Sequence, residues 1–518
     1  MNKTKILWAD DEISMLKPHI IYLQEKGFEV VAVNSGDEVI DLVAEEAFDI
    51  IFLDEQMPGM SGIEVLEKLK EIQPNIPVVM ITKSEEESIM EDAIGSNIAD
   101  YLIKPVKPSQ ILISLKRNLE NKKLVSEKST MIYQQQFREI GMQLQDRLGQ
   151  SEWVDVYKKL VRWEIELEKS DDEGISEILN MQKNEANTGF CKFYERNYKQ
   201  WLYGKEDDKP VLSHTLLKEK LFPQLDKGKK LFLLVIDNLR YDQWKVIEPM
   251  IGEYFRVEED GLYYSILPTT TQYARNALFS GIMPLEIRKR FPQYWVDENE
   301  EGTKNQFESE LLGEQLRRYG KRVKYSYNKI LKQESGRKLF ENISNLMQYD
   351  LNVIVYNFVD MLSHARTEME IIKELADDEA AYRSLMSSWF EHSSLFEIIK
   401  YLSTKDVKLM ITTDHGSIRV HDPIKIVGDR NVNTNLRYKY GKSLNYNAKE
   451  VFEITDPETY FLPKVNVSTR WVFARGYHFF AYPNNYNYYA RYYSNTFQHG
   501  GLSMEEILIP FITLESKK

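Results

Sequence analysis

The 518-residue sequence predicts a multidomain α/β protein: a doubly wound parallel sheet, a helical bundle, and a second, larger α/β domain. Three observations predict it. Five short apolar runs alternate with amphipathic stretches over the first 120 residues. Between Pro108 and Pro210 there is no proline, and Leu, Glu, Lys and Gln recur at helical spacing. From about residue 211 buried-strand runs return, separated by long connections. A chain this long exceeds what one ordinary core serves.

The elements follow in order. KILWAD, FEVVAV, FDIIFLD, PVVMIT and DYLIKP read as the strands of five βα units, which form a parallel sheet. The proline-free segment reads as several helices in a bundle or stalk, and KEDDKP, residues 205–210, reads as a linker. Strands resume with LFLLVID (231–237), LNVIVYNFVD (351–360), VKLMITTD (407–414) and ILIPFITL (507–514). The expected domains are therefore 1–120, 121–207 and 208–518, with no internal repeat.

Composition narrows the class. With 42% hydrophobic and 28% charged residues, the chain has a globular make-up. Sixty-seven basic against 80 acidic residues, a net charge of −13, argue against a protein that coats nucleic-acid phosphates. A local basic pocket for a small phosphorylated substrate remains compatible with that balance. The single cysteine, Cys191, excludes an intramolecular disulfide and suits a reducing compartment. No apolar run approaches the roughly 18 residues of a membrane span, and MNKTKILWADDE lacks a signal-peptide core. A cytoplasmic protein without membrane insertion is expected.

In the first domain the chemistry falls where strands end. Asp10 and Asp11 close the first strand, Asp54 the third, Thr82 the fourth and Lys104 the fifth. In an open parallel sheet these ends share one crevice. Clustered carboxylates call for a divalent, oxygen-loving cation such as Mg²⁺. A central Asp with a metal, a hydroxyl and a Lys is equipped for phosphoryl transfer to a carboxylate. The stretches ADDE and LDEQMPGMSG, the Thr after the fourth strand and the KP after the fifth resemble the receiver domain of bacterial response regulators. The resemblance implies that Asp54 is the phosphoacceptor. It makes Asp11 the direct Mg²⁺ ligand, with Asp10 beside it, Asp54, and the Gln56 carbonyl completing the set. Thr82 and Lys104 would sense the phosphoryl group, and Tyr101 stands at the aromatic switch position. The alternative is a receiver-like fold that is never phosphorylated.

The last domain repeats the pattern with different residues. Three apolar runs end in Asp237, Asp360 and Asp414; His364 follows Asp360, and His415 adjoins Asp414. FQHGGLSMEEILIP places His499 in a glycine-rich turn before a further strand. A lone D-x-x-x-H favours a helix cap, since caps are far commoner than metal sites. If the strands are neighbours, however, three Asp and three His meet at one edge, and caps do not need imidazoles. Six N/O donors suit two zinc-type ions, three protein ligands each, with open positions for substrate.

LPTTTQYARNALFSGIMP, residues 267–284, adds a hydroxyl at a turn into a helix, whose free N–H groups suit a phosphate. An ordinary Ser/Thr N-cap is the competing reading. The order Asp, Thr, Asp-x-x-x-His, Asp-His-Gly, His-Gly-Gly resembles the alkaline phosphatase superfamily, and within it the PglZ-type domain. The fold implied is an alkaline-phosphatase-like α/β domain. By that resemblance Asp360, His364 and His499 bind one zinc, and Asp237, Asp414, His415 and the nucleophile bind the other. PTTT resembles the P-T-x-T of nucleotide pyrophosphatase/phosphodiesterases, which places the nucleophile on Thr271 rather than Thr269 or Thr270. Those enzymes carry an Asn three residues after the nucleophile; here Ala274 stands there, with Arg275 or Asn276 as possible substitutes in binding substrate.

Arg240 and Asp242 in VIDNLRYD also match PglZ-type sequence, without a role that spacing supplies. His421, past the DHG turn, is a further candidate for substrate contact, whereas His478 in GYHFFAYP reads as structural. The run YPNNYNYYARYY reads as a packed or dimer face, with base stacking as the alternative. Receiver, helical stalk and PglZ-type domain in one chain resemble the PorX-type response regulators of type IX secretion and gliding. That resemblance implies a PorY-type sensor histidine kinase, a zinc phosphodiesterase output acting on nucleotides or oligonucleotides, a homodimer on phosphorylation, and contacts with a sigma factor or secretion-machine components. A non-catalytic scaffold, a phosphomonoesterase and a phosphomutase are the alternatives. A sulfatase is disfavoured because C/S-x-P-x-R is absent.

Overall fold

Apolar runs that end in a carboxylate form the central strands of two separate sheets in the computed structural model. It describes residues 4–73, 76–83, 98–168, 173–204, 209–298, 300–369, 378–428 and 433–517. The chain divides into two compact units, Met1–Ile132 and Tyr133–Lys518.

In the first unit β1 (Lys5–Ala9), β2 (Glu29–Val33), β3 (Ile50–Asp54), β4 (Val78–Thr82) and β5 (Asp100–Ile103) form one parallel sheet in the order β2-β1-β3-β4-β5. All five predicted strands are present. Helices α1 (Lys17–Glu25), α2 (Gly36–Glu45) and α3 (Gly62–Ile72) belong to the crossovers. Strand β3 is buried along its whole length because it lies in the middle of the sheet. α3 begins with a reciprocal cap: the Glu64 amide donates to Ser61 Oγ (3.3 Å), and the Ser61 amide donates to Glu64 Oε2 (2.8 Å). A Cβ on Gly62 would fall 2.4 Å from the Asp54 carbonyl oxygen, so only glycine lets this helix approach the strand end that carries Asp54.

Helices α4 (Pro108–Gln145), α5 (Gln150–Leu167) and α6 (Glu173–Tyr203) follow. α4 contains the division between the units. From Tyr133 onward these helices do not form a body of their own. Trp153, Trp163, Tyr194 and Tyr198 share one core with Ile236, Tyr264 and Leu409. Of the expected linker, residues 205–208 lie outside the described residues.

The second unit is built on β6 (Lys230–Ile236), β7 (Phe255–Tyr264), β8 (Tyr325–Ile330), β9 (Leu351–Tyr356) and β10 (Val407–Thr412). Smaller pairings use β11 (Ile418–Val420), β12 (Asp422–Lys425), β13 (Tyr438–Gly441), β14 (Val451–Ile454), β15 (Arg470–Ala474), β16 (His478–Ala481) and β17 (Thr496–Gln498). The closing strand is β18 (Leu508–Ser516), and the main sheet runs β7-β18-β10-β6-β9-β8. β10, β6, β9 and β8 are mutually parallel, whereas β18 is antiparallel to both neighbours. Segments that follow β6, β9 and β10 therefore share an edge with the segment that precedes β18. Among the described residues, no helix is long and apolar enough to cross a membrane.

A buried ionic network ties the helices to this sheet. Arg383 Nη1 lies 2.7 Å from Asp242 Oδ2 and 3.1 Å from Glu164 Oε1 on α5. Lys183 on α6 lies 2.7 Å from the other Glu164 oxygen, and Arg240 bridges Asp242 and Glu379 at 2.5 Å each. Arg240 and Asp242, singled out by motif alone, thus belong to this network. Two tyrosines of α6 reach the segment between β7 and Thr271. Tyr194 donates to the Ser265 carbonyl, and Tyr198 accepts from the Leu267 amide, each at 3.0 Å.

Candidate active site

The shared sheet edge collects the predicted donors. Asp237 directly follows β6, and Asp414 and His415 follow β10. Asp360 lies in the first turn of the helix Phe358–Glu368 after β9, with His364 one turn on. His499 follows β17, and the antiparallel direction of β18 returns the chain from this edge. Two glycine positions allow the close packing. A Cβ on Gly416 would fall 2.0 Å from the Glu505 carbonyl oxygen, and Gly500 adopts φ +120.

His415 is the hub. Its Nε2 lies 3.7 Å from Asp237 Oδ1, 3.7 Å from Asp414 Oδ2 and 3.2 Å from Thr271 Oγ1. Its ring stacks on His499 with centroids 4.3 Å apart. His499 Nε2 is 3.5 Å from Asp360 Oδ1, and His364 Nε2 is 3.6 Å from Asp360 Oδ2. The tight donor groups are Asp237–Asp414–His415 and Asp360–His415–His499. The expected second trio contained His364 instead of His415. His364 meets Asp360 but stays outside the tight groups, and its side chain is 58% exposed.

Charge and tautomer both suit cations. Nδ1 of His415 faces the Gly416 carbonyl (3.1 Å) and Nδ1 of His499 the Thr269 carbonyl (3.2 Å). A ring that donates through Nδ1 presents the Nε2 lone pair to a metal. Asp414 Oδ2 is buried without a hydrogen-bond partner among the described residues. Burial, with the Asp237 charge beside it, pushes the Asp414 carboxyl up to about 6. Burial and Asp237 likewise raise Asp360. Burial works to raise Asp237 too, but Arg275 and His415 outweigh it and hold that carboxyl below its ordinary value. Burial, reinforced by His415 and His364, holds His499 well below its usual range. Three carboxylates and the imidazoles thus fit oxygen- and nitrogen-seeking divalent ions such as zinc.

The three threonines separate cleanly. Thr269 Oγ1 donates to the Gly501 carbonyl (3.0 Å) and accepts from the Gly500 amide (2.9 Å), pinning the glycine turn beside His499. Thr270 is the N-cap of the turn Thr271–Arg275, and its hydroxyl is buried with no hydrogen-bond partner among the described residues. Thr271 Oγ1 donates to Asp237 Oδ1 at 3.4 Å as well as meeting His415. The substitutes weighed for the missing Asn point elsewhere. Arg275 is fully buried, 2.9 Å from Asp237 Oδ2 and 2.6 Å from Glu308, and Asn276 donates to the Gln272 and Lys304 carbonyls. Both side chains are buried. His421 is exposed, pairs with Asp422 (3.1 Å) and stacks on Tyr477. His478 Nδ1 lies 2.8 Å from the Arg475 carbonyl. The tyrosine run forms the helix Tyr486–Tyr493, with Tyr488, Tyr489 and Tyr492 exposed. Sequence reasoning missed Glu308 and Asn238 altogether. No motif marks Glu308, whereas Asn238 could have been suspected from its place beside Asp237.

The first unit holds a smaller site. Lys104 Nζ lies 2.8 Å from Asp10 and 2.7 Å from Asp54, and Asp10, Asp11 and Asp54 form a third tight donor group. Burial raises the Asp54 carboxyl despite Lys104. Thr82 donates to Glu55 Oε2 at 2.6 Å, Tyr101 is half-buried, and the Gln56 side chain is exposed.

Known proteins show the same parts. The family model of the BREX system PglZ alkaline phosphatase-like domain matches residues 216–514. Models of the PorX response regulator linker domain and the response regulator receiver domain match residues 123–202 and 6–116. The transcriptional regulatory protein ResD of Bacillus subtilis is 33% identical over 115 residues, 22% of this chain and 48% of that protein. ZraR of Klebsiella oxytoca is 32% identical over 136 residues, 26% of this chain and 31% of that protein. The matches therefore span about half or less of these relatives. A CheY-like receiver domain structure from Methanospirillum hungatei is 26% identical, covers 23% of this chain and 96% of that one, and has a TM-score of 0.23. The chain is a response regulator of the PorX-type architecture, a receiver and a PorX linker followed by an output domain that makes it a member of the PglZ alkaline phosphatase-like family.

Proposed function

We propose that this response regulator is phosphorylated on Asp54 by a sensor histidine kinase of the PorY type, and that its output is a zinc-dependent phosphodiesterase acting on nucleotide or oligonucleotide phosphoesters. One observation carries the enzymatic part: the Thr271 hydroxyl lies against both Asp237 and His415. A purely structural metal site has no need of a hydroxyl there.

Asp237, Asp414 and His415, with Thr271, would hold one zinc; Asp360, His499 and His364 would hold the other. Bound zinc supplies charge that favours an alkoxide and the developing negative charge of the transition state. Asp237 accepts the Thr271 hydrogen bond and, with His415, orients the oxygen towards phosphorus. Thr271 then forms the phosphorus–oxygen bond, the ester alcohol leaves, and water releases the threonine in a second displacement. In the receiver, Asp10, Asp11, Asp54 and the Gln56 carbonyl would hold Mg²⁺, and Lys104, Thr82 and Tyr101 would respond to the phosphoryl group. Phosphorylation would favour a homodimer. A sigma factor or secretion-machine component of type IX secretion is the downstream partner in this reading, and the compartment is the cytoplasm.

The test is release of nitrophenol from a nitrophenyl phosphodiester by the zinc-loaded full chain. Wild type should turn over and Thr271→Val should not, at similar zinc content. In parallel, Asp360→Ala with His364→Ala should lose about one zinc per chain, since one remaining donor is too few. Equal turnover by Thr271→Val, or full zinc retention by the double variant, rejects the reading.

A further inference from the structure

Asn238 directly follows Asp237 and adopts φ 64. Side chains other than glycine rarely adopt that backbone, and asparagine is among the few that tolerate it. The residue is fully buried, and its Nδ2 donates to Asp360 Oδ1 at 3.5 Å, the long end of a hydrogen bond. Its Oδ1 is also buried and has no partner among the described residues. The next amide, that of Leu239, donates to Thr413 Oγ1 at 3.1 Å, and that hydroxyl donates to the His415 carbonyl at 2.9 Å. Consecutive residues after β6 thus touch the segment after β9 through a side chain and the segment after β10 through the backbone. These segments carry Asp360 on one side and Asp414 with His415 on the other.

Complete burial denies the Asn238 amide any contact with substrate. What it reaches is a carboxylate oxygen of the second donor group, whose other oxygen faces His364. We propose that Asn238 is a positioning residue: its amide orients the Asp360 carboxylate for the ion shared with His364 and His499, and so sets that ion's place relative to the one at Asp237. The inference rests on the two-ion reading above. Outer donors to ligating carboxylates typically contribute 10- to 100-fold in metal affinity.

Glycine isolates the amide, because it keeps the left-handed backbone and removes only the side chain. The metal-free full chain and its Asn238→Gly variant are titrated calorimetrically with Zn²⁺, and the visible spectrum of each Co²⁺-loaded form is recorded. Wild type should take up two ions in this domain. The variant should keep one at wild-type affinity, bind the other about 10- to 100-fold more weakly, and show altered Co²⁺ bands for that ion alone. Two unchanged affinities overturn the proposal. A parallel loss at both sites together with a lowered Tm of the metal-free chain also overturns it, since Asn238 would then serve only the fold. A wild type that takes up a single ion overturns the two-ion reading, and the proposal with it.

Discussion

Arg275 and Asp237 form an ion pair 2.9 Å apart in which neither side chain exceeds 1% exposure. The guanidinium also meets Glu308 at 2.6 Å, but Lys329 reaches the other Glu308 oxygen at 3.1 Å, so Asp237 is the carboxylate that relies on Arg275 most. Removing one partner of such a cluster leaves uncompensated buried charge, at a cost of about 3–5 kcal/mol. Arg275→Met should therefore lower the urea midpoint sharply. A bound divalent ion shares the Asp237 charge, so the loss should be smaller with zinc present than with a chelator. Equal losses in both conditions would detach Arg275 from the metal group.

Thr269 and Thr271 should fail in opposite ways. Thr269→Val strips two hydrogen bonds from the Gly500–Gly501 turn and should cost about 1–3 kcal/mol of stability while leaving measurable turnover. Thr271→Val should leave the Tm nearly unchanged and lower diester hydrolysis by several powers of ten. Differential scanning calorimetry and the nitrophenol assay on the same samples separate the two effects. The reverse pattern would place the nucleophile on the wrong threonine.

His214 should set part of the acid limb of stability. Its Nδ1 is buried without a hydrogen-bond partner among the described residues, and burial pushes the ring down to about 4. The folded value lies below the unfolded one of about 6.5, so the unfolded chain binds a proton that the folded chain refuses. The contribution is complete above about pH 6.5 and is lost as pH falls through about 4. In chelator, His214→Asn should narrow the stability gap between pH 7.5 and pH 5 by about 2 kcal/mol relative to wild type. Parallel urea curves for both chains at both pH values would exclude this role.

Asp54→Ala should abolish the response to acetyl phosphate or beryllofluoride with Mg²⁺. Light scattering of the full wild-type chain should show a rise towards the dimer mass on either treatment, and the variant none. Lys104→Ala should bind the same reagents and respond weakly, because its ammonium bridges Asp10 and Asp54. An unchanged wild-type mass would remove dimerisation from the output.

The strands that lead to Asp237 and Asp414 were legible because a fully buried strand is a continuous apolar run, and a carboxylate after it stands out, whereas the run read as a strand through Asp360 stops at Tyr356 and Asp360 opens the helix Phe358–Glu368. The receiver site was legible for the same reason, from Asp54 after IIFL to Lys104 after DYLI. Direction was not: nothing in ILIPFITL distinguishes the antiparallel β18 from its parallel neighbours. Sequence offered Arg275 only as a candidate phosphate ligand, because it lies just past the nucleophile candidate, and did not show its ion pairs with Asp237 and Glu308. Its partner Glu308 lies 33 residues away, beyond any local pattern. The hub role of His415 was equally hidden, since spacing assigns a histidine to the carboxylate beside it and cannot show which ring stacks on which. The stalk read from α4–α6 failed to reveal its buried side because Trp153, Tyr194 and Tyr198 recur at a spacing that serves a free bundle and a docked one equally.

The network around Arg383 bears on how this protein can be taken apart. A gene fragment opening at residue 208 would delete Glu164 and Lys183, leaving Arg383 deep in the fold with Asp242 as its remaining close counter-charge. It would also strip the Leu267 amide of the Tyr198 oxygen just ahead of the threonine turn. Such a fragment should come out of expression insoluble, while one opening ahead of Tyr133 keeps these partners. In gene fusion and shuffling, PglZ domains of this lineage should travel with the two helices in front of them.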